Sequence, residues 1–207
     1  PAGPGAINQV SFADGKLSIG VLGDEAPIGI CGTGIIDAIA LLVEQGIVDE
    51  TGYLLDADEA EGPLAERVGI EDDGHVFYIT DDRSIFITQN DVRSLQLAKA
   101  AVCAGVETMM DAYNVTCDQI ESLEIAGGFG RYLNLQSAAR VGLFPPELVD
   151  RASSVGNTSA EGATAMMLST PARERALAIA RESDYLELST SATFNSFYID
   201  QMEFATD

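Results

Sequence analysis

Leu123-Glu124-Ile125-Ala126-Gly127-Gly128-Phe129-Gly130 decides the fold class. A short apolar run from Ser122 to Ala126 enters a glycine turn, and helical spacing resumes through Leu133, Leu135, Ala138 and Ala139. Strand, glycine turn and helix in that order form the repeating unit of an α/β protein. Glycines after a strand end leave the main chain bare, so a flat base or sugar can lie against it. A tight strand-to-helix turn calls for the same residues, and both readings stand at this point.

Upstream, Val92, Leu95, Ala98, Val102, Val106 and Met109 recur at spacings of three and four, which predicts one helix from about Gln89 to Tyr113 with that stripe as its face, capped by Asn90 or Thr88. His75 to Thr80 and Ser84 to Thr88 read as a β-hairpin around Asp81-Asp82-Arg83. Residues 47–74, rich in Asp, Glu and Gly and weakly periodic, read as a partly helical excursion on the surface. A further hairpin is expected at the start, from Ala6 to Phe12 and from Leu17 to Leu22, turned by Ala13-Asp14-Gly15. Between them Pro27 to Gly34 is a glycine-rich turn that feeds a buried helix through Ile35, Ile36, Ile39, Leu42 and Val43, stopped by Gly46.

Downstream, Phe144-Pro145-Pro146 breaks the chain and Val155-Gly156-Asn157 turns it. Helices are expected over Ala160 to Leu168 and Pro171 to Glu182, a short strand over Tyr185 to Leu188, and a terminal helix with an aromatic face over Thr193 to Phe204.

The chain has 207 residues, 46% hydrophobic and 21% charged, enough to bury a core and too apolar for wholesale disorder. Eleven Lys and Arg against 33 Asp and Glu give a net charge of −22, which repels phosphate backbones and anionic lipid surfaces. Nucleic acid and membrane are excluded as partners on that ground. Cys31, Cys103 and Cys117 stand far apart, with no Cys-x-x-Cys pair and only His75 to join them. This spacing predicts free thiols, with no zinc, no cluster and no disulfide framework in this chain, and fits a reducing cytoplasm. No apolar run is long enough to span a bilayer, and the start lacks the basic and apolar segments of a signal peptide. Pro1-Ala2-Gly3-Pro4-Gly5 running straight into a strand is what a piece of a longer chain would show, although removal of an initiator Met before Pro would look the same.

A second turn offers chemistry. Gly29-Ile30-Cys31-Gly32-Thr33-Gly34 precedes a helix, so bare amides and the helix N-terminus face an anion with partial positive charge. Thr33 also suits a simple cap, and the turn matches neither a phosphate-binding Walker loop nor a dinucleotide Gly-x-Gly-x-x-Gly.

Taken in order, Gly5-Ala6-Ile7, Gly29-Ile30-Cys31-Gly32-Thr33-Gly34-Ile35-Ile36-Asp37, Gln89-Asn90-Asp91-Val92-Arg93 with Leu97-Ala98-Lys99-Ala100-Ala101, Ile125-Ala126-Gly127-Gly128-Phe129-Gly130 and Val155-Gly156-Asn157-Thr158 with Glu161-Gly162-Ala163 resemble the C-terminal region of the ferredoxin-type reductive activators of corrinoid proteins. Five blocks in one order, nearly end to end, are far more specific than any one. The resemblance implies an α/β fold of the ribonuclease H-like, actin-like ATPase type: a mixed sheet flanked by helices, with hairpins at the start. It implies that residues 1–207 are the C-terminal part of an ATPase domain of the acetate and sugar kinase, heat-shock-cognate and actin class. The parent would use ATP and magnesium to drive an electron from an N-terminal iron-sulfur domain onto an over-oxidised cobalt cofactor. Its partner would be a corrinoid protein or corrinoid-dependent methyltransferase, and it could form a homodimer. An Asp-x-Gly-Thr phosphate hairpin and a ferredoxin cysteine set, both usual in that family, do not occur in this sequence.

Carried over residue by residue, the resemblance places Gly127, Gly128 and Phe129 beside the adenosine and Gly32, Thr33 and Gly34 toward the phosphates. It gives Gln89 and Lys99 polar contacts to the nucleoside. Asp37 contacts metal or complements the helix dipole, as Asp91 does at its own helix, and Asn157 is a weaker candidate. Lys99 also suits snorkelling to solvent. No catalytic residue is assigned and no metal ligand is expected. Two other readings remain open: the nucleotide lobe of a small-molecule kinase of the same superfamily, and a non-catalytic docking or dimerisation module.

Overall fold

A computed structural model of the chain describes residues 3–72, 74–128 and 130–205, apart from the side chains of Asp24 and Arg131. β1 (Ala6–Ala13) and β2 (Lys16–Val21) form the opening antiparallel hairpin, in register from Ile7↔Val21 to Ala13↔Lys16. Asp14 and Gly15 turn it with φ of 52° and 75°, the left-handed pair that matches strand twist. β3 (Gly29–Ile30) pairs parallel to β1, giving the order β2-β1-β3. α1 (Gly32–Glu44) follows at once and packs on β1, burying Ile36, Ala38, Ile39, Leu42 and Val43. Gly46 at φ 66° ends it.

The segment 47–74 differs from the surface excursion expected of it. Ile47, Val48 and Leu54 are wholly buried, Leu64 and Val68 nearly so, and Val48 bridges Leu54. Its few apolar residues follow no helical or strand period because a loop wrapping the core places them singly, while its acidic residues stay outside. It ends in β4 (Val68–Glu71), which pairs with β5 (Gly74–Tyr78) and through it with β6 (Phe86–Thr88) in a three-stranded antiparallel sheet.

α2 (Gln89–Ala112) begins with a capping box: Asp91 N–H donates to Thr88 Oγ1 at 3.1 Å, and Thr88 N–H donates to Asp91 Oδ2 at 2.8 Å. Its buried face departs from the expected stripe after Leu95. It runs through Gln96, Lys99, Ala100, Cys103, Ala104 and Thr108, while Ala98, Val102 and Met109 are exposed. The reason is polar. Gln96 and Lys99 hydrogen-bond the C-terminal segment, and that rotates the helix away from its more apolar side.

β7 (Leu123–Ala126) and β8 (Ala152–Gly156) form a parallel pair joined through α3 (Leu135–Arg140). β8 was not legible in Ala152-Ser153-Ser154-Val155, where pairing to β7 rather than apolar alternation makes the strand. α4 (Thr158–Leu168) and α5 (Thr170–Glu182) pack on one another and bury no residue of their own. The strand expected over Tyr185–Leu188 does not form. Tyr185 hydroxyl instead donates to Glu187 Oε2 at 2.8 Å, and among the described residues no strand pairs with this stretch. α6 (Ala192–Asp200) packs on α2, and Phe204 beyond it is buried. The architecture is the mixed α/β arrangement expected. No helix among the described residues is long and apolar enough to cross a membrane.

Candidate functional site

The phosphate-like turn is held against β1 by three contacts. Cys31 N–H donates to the Ile7 carbonyl at 2.9 Å, Thr33 Oγ1 donates to the Asn8 carbonyl at 3.0 Å, and Val10 N–H donates to Asp37 Oδ2 at 3.3 Å. Thr33 and Asp37 lie four residues apart, on one face of α1. Gly34 lets the helix come this close: a Cβ there would collide with the Ile7 carbonyl and stand 2.9 Å from Ile30 Cγ1. The first intrahelical bond is Ile35 N–H to Cys31 O, so the amides of Gly32, Thr33 and Gly34 have no acceptor within the helix. A cavity of about 600 Å³, lined by Gly3, Pro4, Ala6 and residues 28–32, opens at that N-terminus. Bare amides, partial positive charge and space together suit an anion.

Asp37 is 4% exposed and its pKa is raised, chiefly by burial, with the Ser137 hydroxyl and the Val10 amide pulling it back. The Asp37 carboxylate is turned into the fold, toward the Val10 amide.

At the second turn the strand ends meet. Gly127 N–H donates to the Gly156 carbonyl at 2.7 Å, and both glycines are left-handed, at φ 96° and 73°. A Cβ at Gly127, Gly128 or Gly156 would find no atom of the described residues beyond its chain neighbours within 4 Å, so among those residues this end of the β7-β8 pair is bounded by bare backbone. Gly130 is different, its Cβ position standing 2.9 Å from the Ile125 carbonyl, so it serves packing. Phe129 lies outside the described residues. Asn157 caps α4, its Oδ1 accepting from Ala160 N–H at 3.2 Å. Gly156 becomes the partner of Gly127 only through β8, which no apolar alternation in residues 152–155 announces.

α2 commits its two candidate side chains to protein groups. Gln89 accepts from Leu54 N–H at 2.9 Å and donates to the Gly52 carbonyl at 2.7 Å. Lys99 is wholly buried, donates to the Glu203 carbonyl at 2.5 Å and lies 5.1 Å from the centre of the Phe204 ring. Burial lowers its pKa to about 8. Cys103 is buried on the same helix and its thiol is pushed up to about 12 by that burial. Among the described residues no three His, Cys, Asp or Glu side chains gather to hold a metal.

Residues 1–207 match the family model described as the C-terminal domain of RACo, the ASKHA domain. A corrinoid activation enzyme, RamQ, of Eubacterium limosum is 34% identical over 203 residues, covering 94% of this chain and 34% of the relative. A [Co(II) methylated amine-specific corrinoid protein] reductase of Methanosarcina barkeri is 27% identical over 181 residues, covering 86% and 30%. A solved structure, a reductive activator for corrinoid,iron-sulfur protein, superposes with a TM-score of 0.86 at 36% identity, covering 98% of this chain and 33% of that one. The chain thus spans about a third of the length of the relatives it matches. With the hairpin, both glycine turns and the parallel strand pair in place, the chain belongs to the family described as the C-terminal domain of RACo, the ASKHA domain.

Proposed function

We propose that this chain is the ATP-binding lobe of an activator that couples ATP to reduction of an inactive cobalt(II) corrinoid protein, in the cytoplasm. The observation that carries the reading is the open end of the β7-β8 pair, where Gly127 and Gly156 join and Gly128 presents bare backbone. A crevice beyond the carboxyl ends of parallel strands is where α/β folds take nucleotides. In this reading Gly127 and Gly128 bind the nucleoside, while the amides of Gly32, Thr33 and Gly34 receive phosphate oxygens. Magnesium would arrive with the phosphates, since no acidic cluster among the described residues awaits it. Gln89 and Lys99 support the site through the framework of α2. The iron-sulfur cluster is not assigned to this chain, whose three cysteines are free and dispersed. A corrinoid-dependent methyltransferase is a second partner of the same class. The kinase reading is disfavoured because the relatives that the chain matches are a corrinoid activation enzyme, a corrinoid protein reductase and a reductive activator.

Calorimetric titration with ATP and magnesium tests this. Half of a cleft positions phosphates poorly, so this chain alone should bind with a dissociation constant on the order of 1 mM, about −4 kcal/mol. The longer protein that carries it should bind far more tightly and reduce its corrinoid partner only with ATP present. A longer protein without affinity for ATP would end the reading.

A further inference from the structure

β3 covers only Ala6 and Ile7 of β1, so the strand edge beyond Ile7 has no strand beside it. α1 takes that edge with side chains: Thr33 satisfies the Asn8 carbonyl and Asp37 the Val10 amide, one helical turn apart. Thr33 needs nothing further. Asp37 is different, because its second oxygen, Oδ1, is buried and closes no hydrogen bond of ordinary geometry, although the Ser137 hydroxyl stands near enough to the carboxyl group to lower its pKa. A buried carboxylate with half its capacity unused costs stability that a well-packed apolar residue would not. Its surroundings show what it joins. Asp37 lies in a cleft of about 430 Å³ between β1, α1 and α3, and its carboxyl group is within reach of the Ser137 hydroxyl of α3. α3 is the element that follows the turn 127–130 and packs on α1. α1 is the element that carries the turn 29–34.

We propose that Asp37 is a positioning residue that sets the two glycine turns in register, holding α1 to β1 through the Val10 amide and meeting α3 at Ser137. The proposal rests on the assignment of both turns to the nucleotide. Asp37 touches no ligand; it fixes the spacing between the elements that do.

Amide hydrogen exchange in the full 207-residue chain tests the coupling without nucleotide. Asp37→Ala should speed exchange of the Val10 amide about tenfold or more, and that of the amides at 127–130 by a similar factor, since both lose the same tether. Asp37→Asn keeps a carbonyl for Val10 and should restore that amide to near the wild-type rate. Ser137→Ala should speed exchange at 127–130 and leave Val10 unchanged, so the test survives if Asp37→Ala does not fold. In the longer protein, Asp37→Ala should weaken ATP binding about tenfold, with Asn within about threefold of wild type. Faster exchange at Val10 and α1 alone, with 127–130 unmoved in both the Asp37→Ala and Ser137→Ala proteins, would overturn the proposal. If the wild-type longer protein does not bind ATP, the nucleotide reading fails and the register role falls with it, while the exchange rates still decide whether the two turns are tied.

Discussion

The two glycine turns look alike in sequence and differ in what their glycines are for. In the turn 29–34 the main chain is pressed against β1, and Gly34 is a glycine because Ile7 and Ile30 occupy the space of a side chain. In the turn 127–128 and its partner Gly156 no atom of the described residues beyond the chain neighbours stands within 4 Å of the missing side chain. The helices that follow differ in the same way. α1 is buried over most of its length, whereas α3, after the turn 127–128, buries Ala138 and Ala139 and α4, after Gly156, buries no residue. One turn is a clamp and the other a bare platform. A glycine motif therefore predicts a ligand only after the packing glycines have been separated from the open ones.

The largest effect expected from that contrast is at the clamp. Gly34→Val places branched carbon against the Ile7 carbonyl, a backbone group that cannot swing aside, so either α1 or β1 must move. A loss of more than about 3 kcal/mol of stability is expected, in the range of severe overpacking, and urea denaturation measures it. A loss below about 1 kcal/mol would mean that the helix is not fixed at that edge.

Lys99 sets an internal reference, because its ammonium group is buried and bonded to the Glu203 carbonyl rather than to either turn. Its pKa is about 8 in the fold against 10.5 for an ordinary lysine. Between those values the unfolded chain binds more protons than the folded one, so stability rises with pH. Cys103, held at about 12 against an ordinary 9.0, works the other way above pH 9, because the folded chain then keeps a proton that the unfolded chain loses. The lysine contribution is therefore clearest from pH 8 to 9, where about 1 kcal/mol of stability should be gained. Denaturation at a series of pH values measures it, and Lys99→Met should abolish the gain. A Met variant with the same pH slope would place the titration elsewhere.

How much of this could be read beforehand follows the same division between local pattern and long-range contact. The opening hairpin, α1 with its Gly46 stop, the extent of α2 and the β7 turn all announce themselves through period and turn residues. The packing of 47–74 does not, because Ile47, Leu54 and Leu64 are single apolar residues placed by a wrapping loop. Nor does the face of α2, since a count of apolar residues favours Val102 and Met109 over Lys99. Lys99 is buried where Glu203 and Phe204, more than 100 positions along the chain, come back to meet it. In the site, the glycines were legible and their division was not. Gly127 reveals its role only through Gly156, and Asp37 only through the uncovered edge of β1.

On the platform, Gly128 separates ligand space from fold. Its φ is outside the left-handed region and no atom of the described residues beyond its chain neighbours lies within 4 Å of a Cβ placed there, so a side chain can start from this position without backbone strain. In the longer protein Gly128→Leu should leave the melting temperature within a few degrees of wild type and weaken ATP binding about tenfold or more, about 1.4 kcal/mol. Unchanged affinity in a well-folded Leu variant would remove the nucleoside role from this turn and leave the clamp as the better candidate.

The smallest effect divides the platform itself. Gly128 and Gly156 have equally open surroundings, but Gly156 sits at φ 73° and Gly128 does not. An alanine at Gly156 must hold a left-handed backbone, at a cost of about 1 to 2 kcal/mol. An alanine at Gly128 meets neither strain nor contact and restricts the unfolded chain, so it should be neutral or stabilising by up to about 1 kcal/mol. Because the Gly156 carbonyl accepts the Gly127 amide, strain at 156 should also loosen the strand ends, and exchange of the Gly127 amide reports it directly. Thermal denaturation of the two single variants, with that amide followed in each, gives the comparison. Equal losses at both positions would mean that Gly128 also needs its glycine for the turn, and the platform would then be a second clamp.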